Sequence, residues 1–517
     1  NRSRAQIYVG DAKTFLALVP HLDELPHLKI IYLLNEHKLN KKQKQELAEV
    51  KRTIDFPLFD YWDEVEKSSQ TAPVRVDEPD PHAAQILLFT SGTTSQSKGV
   101  LLSQFNLASN VNQLMGSVTF DAGFRLLSIL PLNHSFENTC GLLTAMSFGG
   151  RIHICDGLRY ISKNLKEYQA DMIIAVPAIM EAIWRRIEQT IKRQGKEKKF
   201  RRAIKISRFL RKIGIDLRHK FFKEIQENLG GLSVVIVGAA PMAKELIELF
   251  DEIGIRLLQG YGLTEGSPVV IGCNSVVFVP GTVGVPLAGI EIAIDNEEPG
   301  EPGEILVRGD NVTEHGYYED PVQTRKLLPG DGWMHTGDLG VIDPETGCVK
   351  ITGRIKSMIV LDNGKKVFPE EVEFLLNERS DHLIRQALVF GGEDERGEVM
   401  VSAKFVVDSD QTKNPNTLEE TLATIVDEVN DLLPSFMRIK TWFYSFKDMV
   451  STTTMKIRRS AEEANIQSFL KENDLRLKNI NRMNIDELKF AEQVTPGSKT
   501  SEDIEYNSED KDEEKSR

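Results

Sequence analysis

From residue 83 to about 260, short apolar runs alternate with helical patterns, and that alternation leaves few ways to fold the chain. "QILLFTS" (85–91), "RLLSIL" (125–130), "MIIAV" (172–176), "LSVVIVG" (232–238) and "IRLLQG" (255–260) read as strands. Helical segments lie between them. Ser103 is placed to cap one whose apolar face is Leu107, Val111, Leu114 and Met115. Strand–helix alternation of this kind predicts a mostly parallel sheet covered on both faces. Ligands of such sheets bind beyond the carboxyl ends of the strands, and the polar motifs of this chain sit at those ends.

The pattern changes twice. From about 281 to 352, glycine-punctuated strands such as "GEILVRG" predict a β-rich subdomain. After 354 a smaller α+β unit opens on a hairpin around Asn363-Gly364. That unit also contains a helix with a capping box, "TLEE" at 417–420, and an apolar face of Leu418, Leu422, Ile425, Val429 and Leu432. The expected fold is therefore α/β, with a large domain at 1–353 and a small mobile domain at 354–465. A helical extension and acidic tail follow at 466–517; from about 495 the tail is too polar to bury itself and reads as disordered. With 517 residues the chain exceeds what one core can organise. Its net charge of −13 argues against a general nucleic-acid binder. No apolar run approaches the roughly 20 residues needed to span a bilayer. Cys140, Cys155, Cys273 and Cys348 are scattered without a C-x-x-C pair, which fits a reducing cytoplasm. The opening "NRSRAQIYVG" lacks methionine and reads as a cut inside a domain.

Five segments carry chemistry. "LLFTSGTTSQSKGV" (87–100) ends a strand in hydroxylic residues, Thr90, Ser91, Gly92, Thr93 and Thr94, closed by Lys98. Such a turn offers hydroxyls, backbone N–H groups and a positive charge to anionic oxygens. It is not the G-x-x-x-x-G-K-[ST] loop, because no glycine precedes Lys98. In "QGYGLTEGSP" (259–268), Gly260, Gly262 and Gly266 are spaced one residue too long for a dinucleotide fingerprint. Tyr261 offers a ring for a purine, Thr264 a donor for a phosphate oxygen, and Glu265 a hard oxygen ligand for Mg²⁺. The bland alternatives are a core tyrosine and a surface glutamate. "GWMHTGDLG" (332–340) sets Asp338 in a glycine turn, placed for the two hydroxyls of a ribose or simply exposed. "ITGRIKSMIVLDNGKKVFPEEVE" (351–373) puts Arg354 and Lys356 at the suspected domain boundary. "STTTMKIRRS" (451–460) carries Lys456 in a basic cluster.

In order and spacing these five motifs resemble the adenylate-forming superfamily of acyl-CoA synthetases, amino-acid adenylation domains and luciferases. The match runs from about residue 5 to 465. "LPLNHSFE" (130–137), "GIDLRHKFFKEIQENLGG" (214–231) and "STTTMKIRR" are most similar to bacterial long-chain fatty-acid–CoA ligases. The resemblance implies that the 90–98 loop wraps the β- and γ-phosphates of ATP. It implies that Gly238, Ala239 and Ala240 line the adenine pocket and that Tyr261 stacks on the base. Thr264 would contact the α-phosphate, Glu265 would hold Mg²⁺, and Asp338 and Arg354 would bind the ribose. Lys456 would be the catalytic lysine, Lys356 the hinge, and His134 a residue at the junction of acyl and nucleotide sites. The implied reaction makes acyl-AMP from a fatty acid and ATP, then passes the acyl group to CoA.

The chain departs from the pattern at Ser95 and Ser97, where glycine and proline are frequent, and at Met455, where glycine is usual. The family's first strands and helices are missing, so an incompletely packed N-terminal subdomain is expected. Neither a G-x-S-x-G elbow nor an activated cysteine is present, so no protein nucleophile is expected. Other acids and a carrier-protein thiol stay open as substrates, as does a catalytically silent relative. Glu137 lies near the aspartate with which amino-acid-adenylating relatives hold an ammonium. The stretch 185–220 is basic and amphipathic, with Glu188, Glu197 and Asp216 as its only acids. It reads either as a solvated helix face with lysine stems over the core, or as peripheral contact with the anionic inner face of a membrane.

Overall fold

The computed structural model describes residues 3–487 apart from 55, 72–77, 91–96, 119–122, 275, 297–299, 381–382, 409–416 and 453–455. The acidic tail and the middle of the phosphate-type loop, including Ser91, Gly92, Thr93 and Thr94, lie outside the described residues. A seven-stranded sheet dominates the large domain. Five strands run parallel in the spatial order Arg151–Ile154, Arg125–Ser128, Met172–Ala175, Val234–Val237 and Arg256–Gly262. Val269–Gly272 and Val285–Pro286 extend it antiparallel. The chain leaves Arg125–Ser128 toward one edge and returns on its other side. This reversal opens a crevice at the strands' carboxyl ends, where 129–137 begins.

The segment "QILLFTS" does not join that sheet. Strand Ile86–Thr90 pairs antiparallel with Lys98–Leu102 as a separate hairpin, with Thr90 opposite Lys98. Its connection spans only 91–97, and a parallel crossover needs a dozen or more residues. The β-rich subdomain is a four-stranded antiparallel sheet of Glu291–Asp295, Gly303–Arg308, Met334–Ile342 and Val349–Arg354. At the N-terminus a three-stranded parallel sheet packs one face on Phe15, Ile31, Leu33 and Leu47. Its strand Ile7–Asp11 leaves Ile7 and Val9 about half exposed.

Beyond Arg354 a second core forms around a three-stranded sheet, Ile384–Glu393, Val399–Val407 and Thr441–Ser445. The Asn363-Gly364 turn joins Ile359–Val360 to Lys366–Val367, with Gly364 at φ +78°. The expected boundary at 465 falls inside helix Arg459–Glu472. Ile466 and Phe469 pack with Leu388, Phe443, Leu477, Ile480 and Ile485, so apolar burial carries the domain on to 485. The "TLEE" capping box is not formed. Thr417 has φ −113° and ψ 6°, away from the extended backbone that aims a capping oxygen, and its side chain makes no capping bond. Leu432, expected on that helix's buried face, is exposed.

Ser103 does cap helix Gln104–Ser117, in a capping box with Asn106. Val111 and Leu114 are buried as expected, but Met115 is exposed and a polar stripe of Asn106, Asn110 and Gln113 is buried in its place. Asn106 and Asn110 bind backbone groups, and Gln113 joins the side chains of Asn110 and Asn311. Asn106 Nδ2 donates to the carbonyls of Asp310 and Val312 at 3.0 and 2.9 Å. Asn110 donates to the Val269 carbonyl at 2.6 Å and accepts from the Val269 N–H at 3.2 Å. The helix thereby fixes the start of the strand that follows residues 264–268. Asn110→Ala would take the acceptor from the Val269 N–H and leave the Val269 carbonyl only the longer contact to Asn311 at 3.4 Å, at a cost of about 1–3 kcal/mol. We expect a lowered urea midpoint; an unchanged midpoint would show that water replaces the amide.

Candidate active site

The site forms where the ends of the parallel strands meet the β-rich sheet and the small domain. Strand Arg256–Gly262 turns into the short helix Thr264–Gly266 and returns as Val269–Gly272. Gly262 is required there by close approach: a Cβ would sit 1.8 Å from the Pro268 carbonyl oxygen. Asn311 Nδ2 donates to the Gly266 carbonyl at 2.6 Å, and the Thr313 N–H donates to the Glu265 carbonyl at 2.8 Å. The turn that carries Thr264 and Glu265 is thus held through its own carbonyls by the Asn311 side chain and the Thr313 backbone.

Asp338 is a buried strand residue, not part of an exposed glycine turn. It pairs in register with Arg354 on the neighbouring strand. Arg354 Nε lies 2.8 Å from its Oδ1, and the Tyr261 hydroxyl donates to its Oδ2 at 2.7 Å. Burial, then the Asp338 charge, pushes the Tyr261 hydroxyl well above the ordinary tyrosine range. Tyr261 thus commits its hydroxyl to the carboxylate while its ring lines the end of the strand. Glu265 is buried, and its Oε1 accepts from the Tyr317 hydroxyl at 2.6 Å. Lys98 stands 4.5 Å over the Tyr317 ring and donates to Gln323 at 2.8 Å. Burial pulls Lys98 below the usual lysine range; the like charge of Lys356 adds to this and Glu265 opposes it.

His134 and Ser135 follow strand Arg125–Ser128 at the crevice. The Ser135 and Thr264 hydroxyls are 3.3 Å apart. His134 Nδ1 accepts from the Phe136 N–H at 3.3 Å, so its proton in the neutral ring belongs on Nε2. Burial, then the charge of Lys456, lowers its pKa. Gly238, Ala239 and Ala240 follow strand Val234–Val237. A Cβ on Gly238 would meet the Phe136 ring at 2.9 Å, and Ala239 is held at φ +73°, a strained conformation for a residue with a Cβ.

The small domain contributes Lys456 on a short turn in which Ser451 bridges Ile457 and the Thr452 N–H donates to the Lys456 carbonyl at 2.8 Å. The Lys456 side chain keeps access to water, yet its ammonium is crowded on the protein side. Desolvation, then the Arg354 charge, brings its pKa down to about 8, with Asp338 opposing. Lys356 sits exposed in the turn Ile355–Ser357, two residues beyond Arg354. Glu137, by contrast, is sealed from the crevice. Burial raises its pKa to about 7, offset only in part by the nearby Ser128 hydroxyl and Leu130 N–H.

Of the residues singled out from sequence, Thr264, Glu265, Tyr261, Gly262, Asp338, Arg354, Lys98, His134 and Lys456 converge here. Thr90 faces Lys98 across the hairpin, its hydroxyl donating to the Lys98 carbonyl at 3.4 Å. Sequence reading missed Tyr317 and Gln323. Tyr317 is brought in by a bridge to Val100, and the Tyr318 N–H donates to the Gly99 carbonyl at 2.7 Å. The aromatic pair in "HGYYED" (315–320) is the only local signal.

Among the described residues no group of three His, Cys, Asp or Glu side chains is placed to hold a metal. Glu265 fits a Mg²⁺ ion as a single buried carboxylate whose remaining ligands come from substrate phosphates and water, a common arrangement for this ion.

The chain belongs to the AMP-binding enzyme family, within the adenylate-forming superfamily. It matches that family over residues 1–318 and the family's C-terminal domain over 356–471. It is 32% identical over 384 residues to mouse long-chain-fatty-acid–CoA ligase 6, covering 69% of this chain and 52% of that protein. It is 29% identical to a chloroplastic long-chain-fatty-acid–[acyl-carrier-protein] ligase of Arabidopsis thaliana, covering 69% of this chain and 56% of that one. The chain therefore spans little more than half the length of these relatives. The adenylation domain of a carboxylate reductase from Mycobacterium chelonae shares the fold, with a TM-score of 0.73 and 18% identity over 91% of this chain and 73% of that one.

The packing at Gly262 gives a direct test. Gly262→Ala forces the Pro268 carbonyl away, at the roughly 1–3 kcal/mol typical of overpacking. We expect lower stability together with weaker nucleotide binding by calorimetry; wild-type affinity would show that the turn does not shape the site.

Proposed function

We propose that this protein activates a fatty acid with ATP, forming acyl-AMP and pyrophosphate, and then transfers the acyl group to CoA with release of AMP. The observation that carries this reading is the convergence of Lys98, Arg354 and Lys456 with the buried carboxylates Asp338 and Glu265. Two anions must meet in the first step, so their repulsion has to be offset where charge develops. In the proposed roles, the loop at 90–98 receives the outer phosphates, and Thr264 and Ser135 offer hydroxyls to the α-phosphate. Asp338, with lone pairs left on both oxygens, accepts from ribose hydroxyls while Arg354 fixes its orientation. Gly238, Ala239, Ala240 and the Tyr261 ring form the adenine wall. Lys456 and the His134 Nε2–H face the reacting carboxylate. A Mg²⁺ ion on Glu265 would neutralise phosphate charge and act as a Lewis acid.

The fatty-acid assignment is supported by the long-chain relatives and by the surroundings of Glu137. A carboxyl group with a pKa near 7, sealed behind the crevice, is poorly suited to hold a substrate ammonium. A small apolar cavity of about 10 Å³ lies between Leu114 and Val118 on one side and Cys140 and Met172 on the other. An acyl chain would have to part that seam, gaining about 0.8 kcal/mol for each buried CH₂. Among the described residues no helix is long and apolar enough to cross a membrane. With its four cysteines unpaired, we assign the protein to the cytoplasm.

ATP–pyrophosphate exchange across a panel of acids tests the substrate. We expect exchange with palmitate-length acids and none with amino acids or aryl acids; the reverse pattern would reassign the substrate. Thioester formation with CoA and with a carrier protein, assayed in parallel, decides the acceptor.

The two half-reactions test Lys456. Removing one preorganised donor costs about 2.7–4 kcal/mol, or a hundred- to a thousandfold in rate. Lys456→Ala should lose that much in acyl-AMP formation and still convert supplied acyl-AMP and CoA at near the parent rate. Because burial and Arg354 lower the Lys456 pKa to about 8 in the free protein and the ammonium acts when protonated, acyl-AMP formation at subsaturating ATP should fall as pH rises through about 8. Conversion of supplied acyl-AMP should lack that falling limb. Equal loss in both half-reactions would remove Lys456 from its proposed role.

A further inference from the structure

We propose that helix Glu197–Lys212 and the turn after it form a docking surface for an anionic lipid bilayer. The helix carries eight cations and one acid in a chain whose net charge is −13. Its inner face is fully engaged. Phe200 packs 6.2 Å from Trp184 and 5.7 Å from Phe222, ring centre to ring centre. Arg208 pairs with Glu252 at 2.9 Å and Arg211 with Asp251 at 2.8 Å. These two arginines anchor the helix to Lys244–Glu252 and are spent on structure.

The outer face carries the signal. Ile206, Phe209 and Ile213, at spacings i, i+3 and i+7, form one stripe, exposed to 45%, 64% and 57%. Arg202, Lys205 and Lys212 flank Phe209 on the same side of the helix. Among the described residues no ion pair engages Lys198, Arg201, Arg202, Lys205 or Lys212. A solvated face with lysine stems over the core accounts for the cations but not for the stripe. Single exposed apolar residues are ordinary, whereas three in line and ringed by unpaired cations match an interfacial helix. The cations meet lipid phosphates while Phe209 and its neighbours enter the acyl boundary.

An acidic carrier protein would also complement the charge. It would have to bring its thiol to the crevice at the carboxyl ends of the strands. The patch is anchored at Asp251 and Glu252, just before strand Arg256–Gly262 begins, at the opposite end of the sheet. A bilayer needs no such line to the site, so the position favours lipid. This inference does not depend on which acid the enzyme activates.

The test is co-sedimentation of the whole chain with vesicles of phosphatidylcholine alone or mixed with phosphatidylglycerol, at low and high salt. We expect binding at least about tenfold tighter to the anionic vesicles at low salt, weakened by salt. Phe209→Ser with Ile213→Ser should lower that binding by about tenfold. Lys198→Glu with Arg202→Glu and Lys205→Glu should abolish the anionic preference. Unchanged circular dichroism and thermal midpoint would show that both variants are folded; if either melts early, Phe209→Ser alone serves. Equal partition onto both vesicle types, or full binding by both variants, overturns the proposal. So does a parent protein that ignores vesicles but binds an acidic carrier protein.

Discussion

The Asp338 carboxylate ties three parts of the molecule together. It belongs to the β-rich sheet, accepts from Tyr261 at the end of the parallel sheet, and pairs with Arg354 on the last strand before the small domain. A buried carboxylate left unpaired would be costly, so each partner is constrained by the need to satisfy it. Tyr261 cannot swing without uncovering Asp338. Arg354, held in register opposite it, fixes where the chain leaves the large domain. Lys456 then approaches the same pair from the other domain and feels both charges. The geometry at the end of the parallel sheet and the point where the chain leaves the large domain are therefore set by one hydrogen-bonded carboxylate.

How much of this was legible in the sequence depended on range. Four of the five parallel strands were readable because each is a short apolar run between turn residues, and burial on both faces demands that composition; the edge strand Arg151–Ile154, with a charged and an imidazole residue among four, was not. Ser103 was readable as a cap because its partner, Asn106, is three residues away. The Thr417 cap failed on the same local rule, because the backbone at Thr417 is already turned toward helical values. Where a residue's role comes from a distant partner, local pattern gave the wrong face. Asn110 is polar and reads as solvent-facing, yet it is buried because strand Val269–Gly272 needs its amide. Met115 loses the place that stripe takes.

The site divides along the same line. Glu265 and Asp338 could be picked out by residue type and motif. Tyr317, which links Glu265 to Lys98, could not, since it reaches them only by bridging the edge of strand Lys98–Leu102 from more than two hundred residues away. Nor could sequence show that Asp338 is buried. Its flanking glycines suggest a turn, whereas Gly337 at φ +72° and the register shift near Gly340 shape a bulged strand.

The distribution of charge gives the site a direction. Lys98, Lys356, Arg354 and Lys456 converge on a region where Asp338 is already paired with Arg354 and Glu265 already accepts from Tyr317. The excess of positive charge shows in the ammonium groups: both Lys98 and Lys456 are pulled down, each by burial first and by a neighbouring cation second. A polyanion entering this space would reverse both effects, raising the two lysines and drawing the small domain toward the large one. Lys98 lies on the phosphate-type hairpin and Lys356 on the turn where the small domain begins, so their repulsion acts across the proposed hinge. In the proposed reaction a bound triphosphate would cancel it, and departure of pyrophosphate would restore it while AMP stayed in the place proposed for it at Asp338. On this argument, if the proposed reaction holds, the approach of the small domain would be favoured only while the outer phosphates were present, and the same electrostatics would free it for the proposed second step.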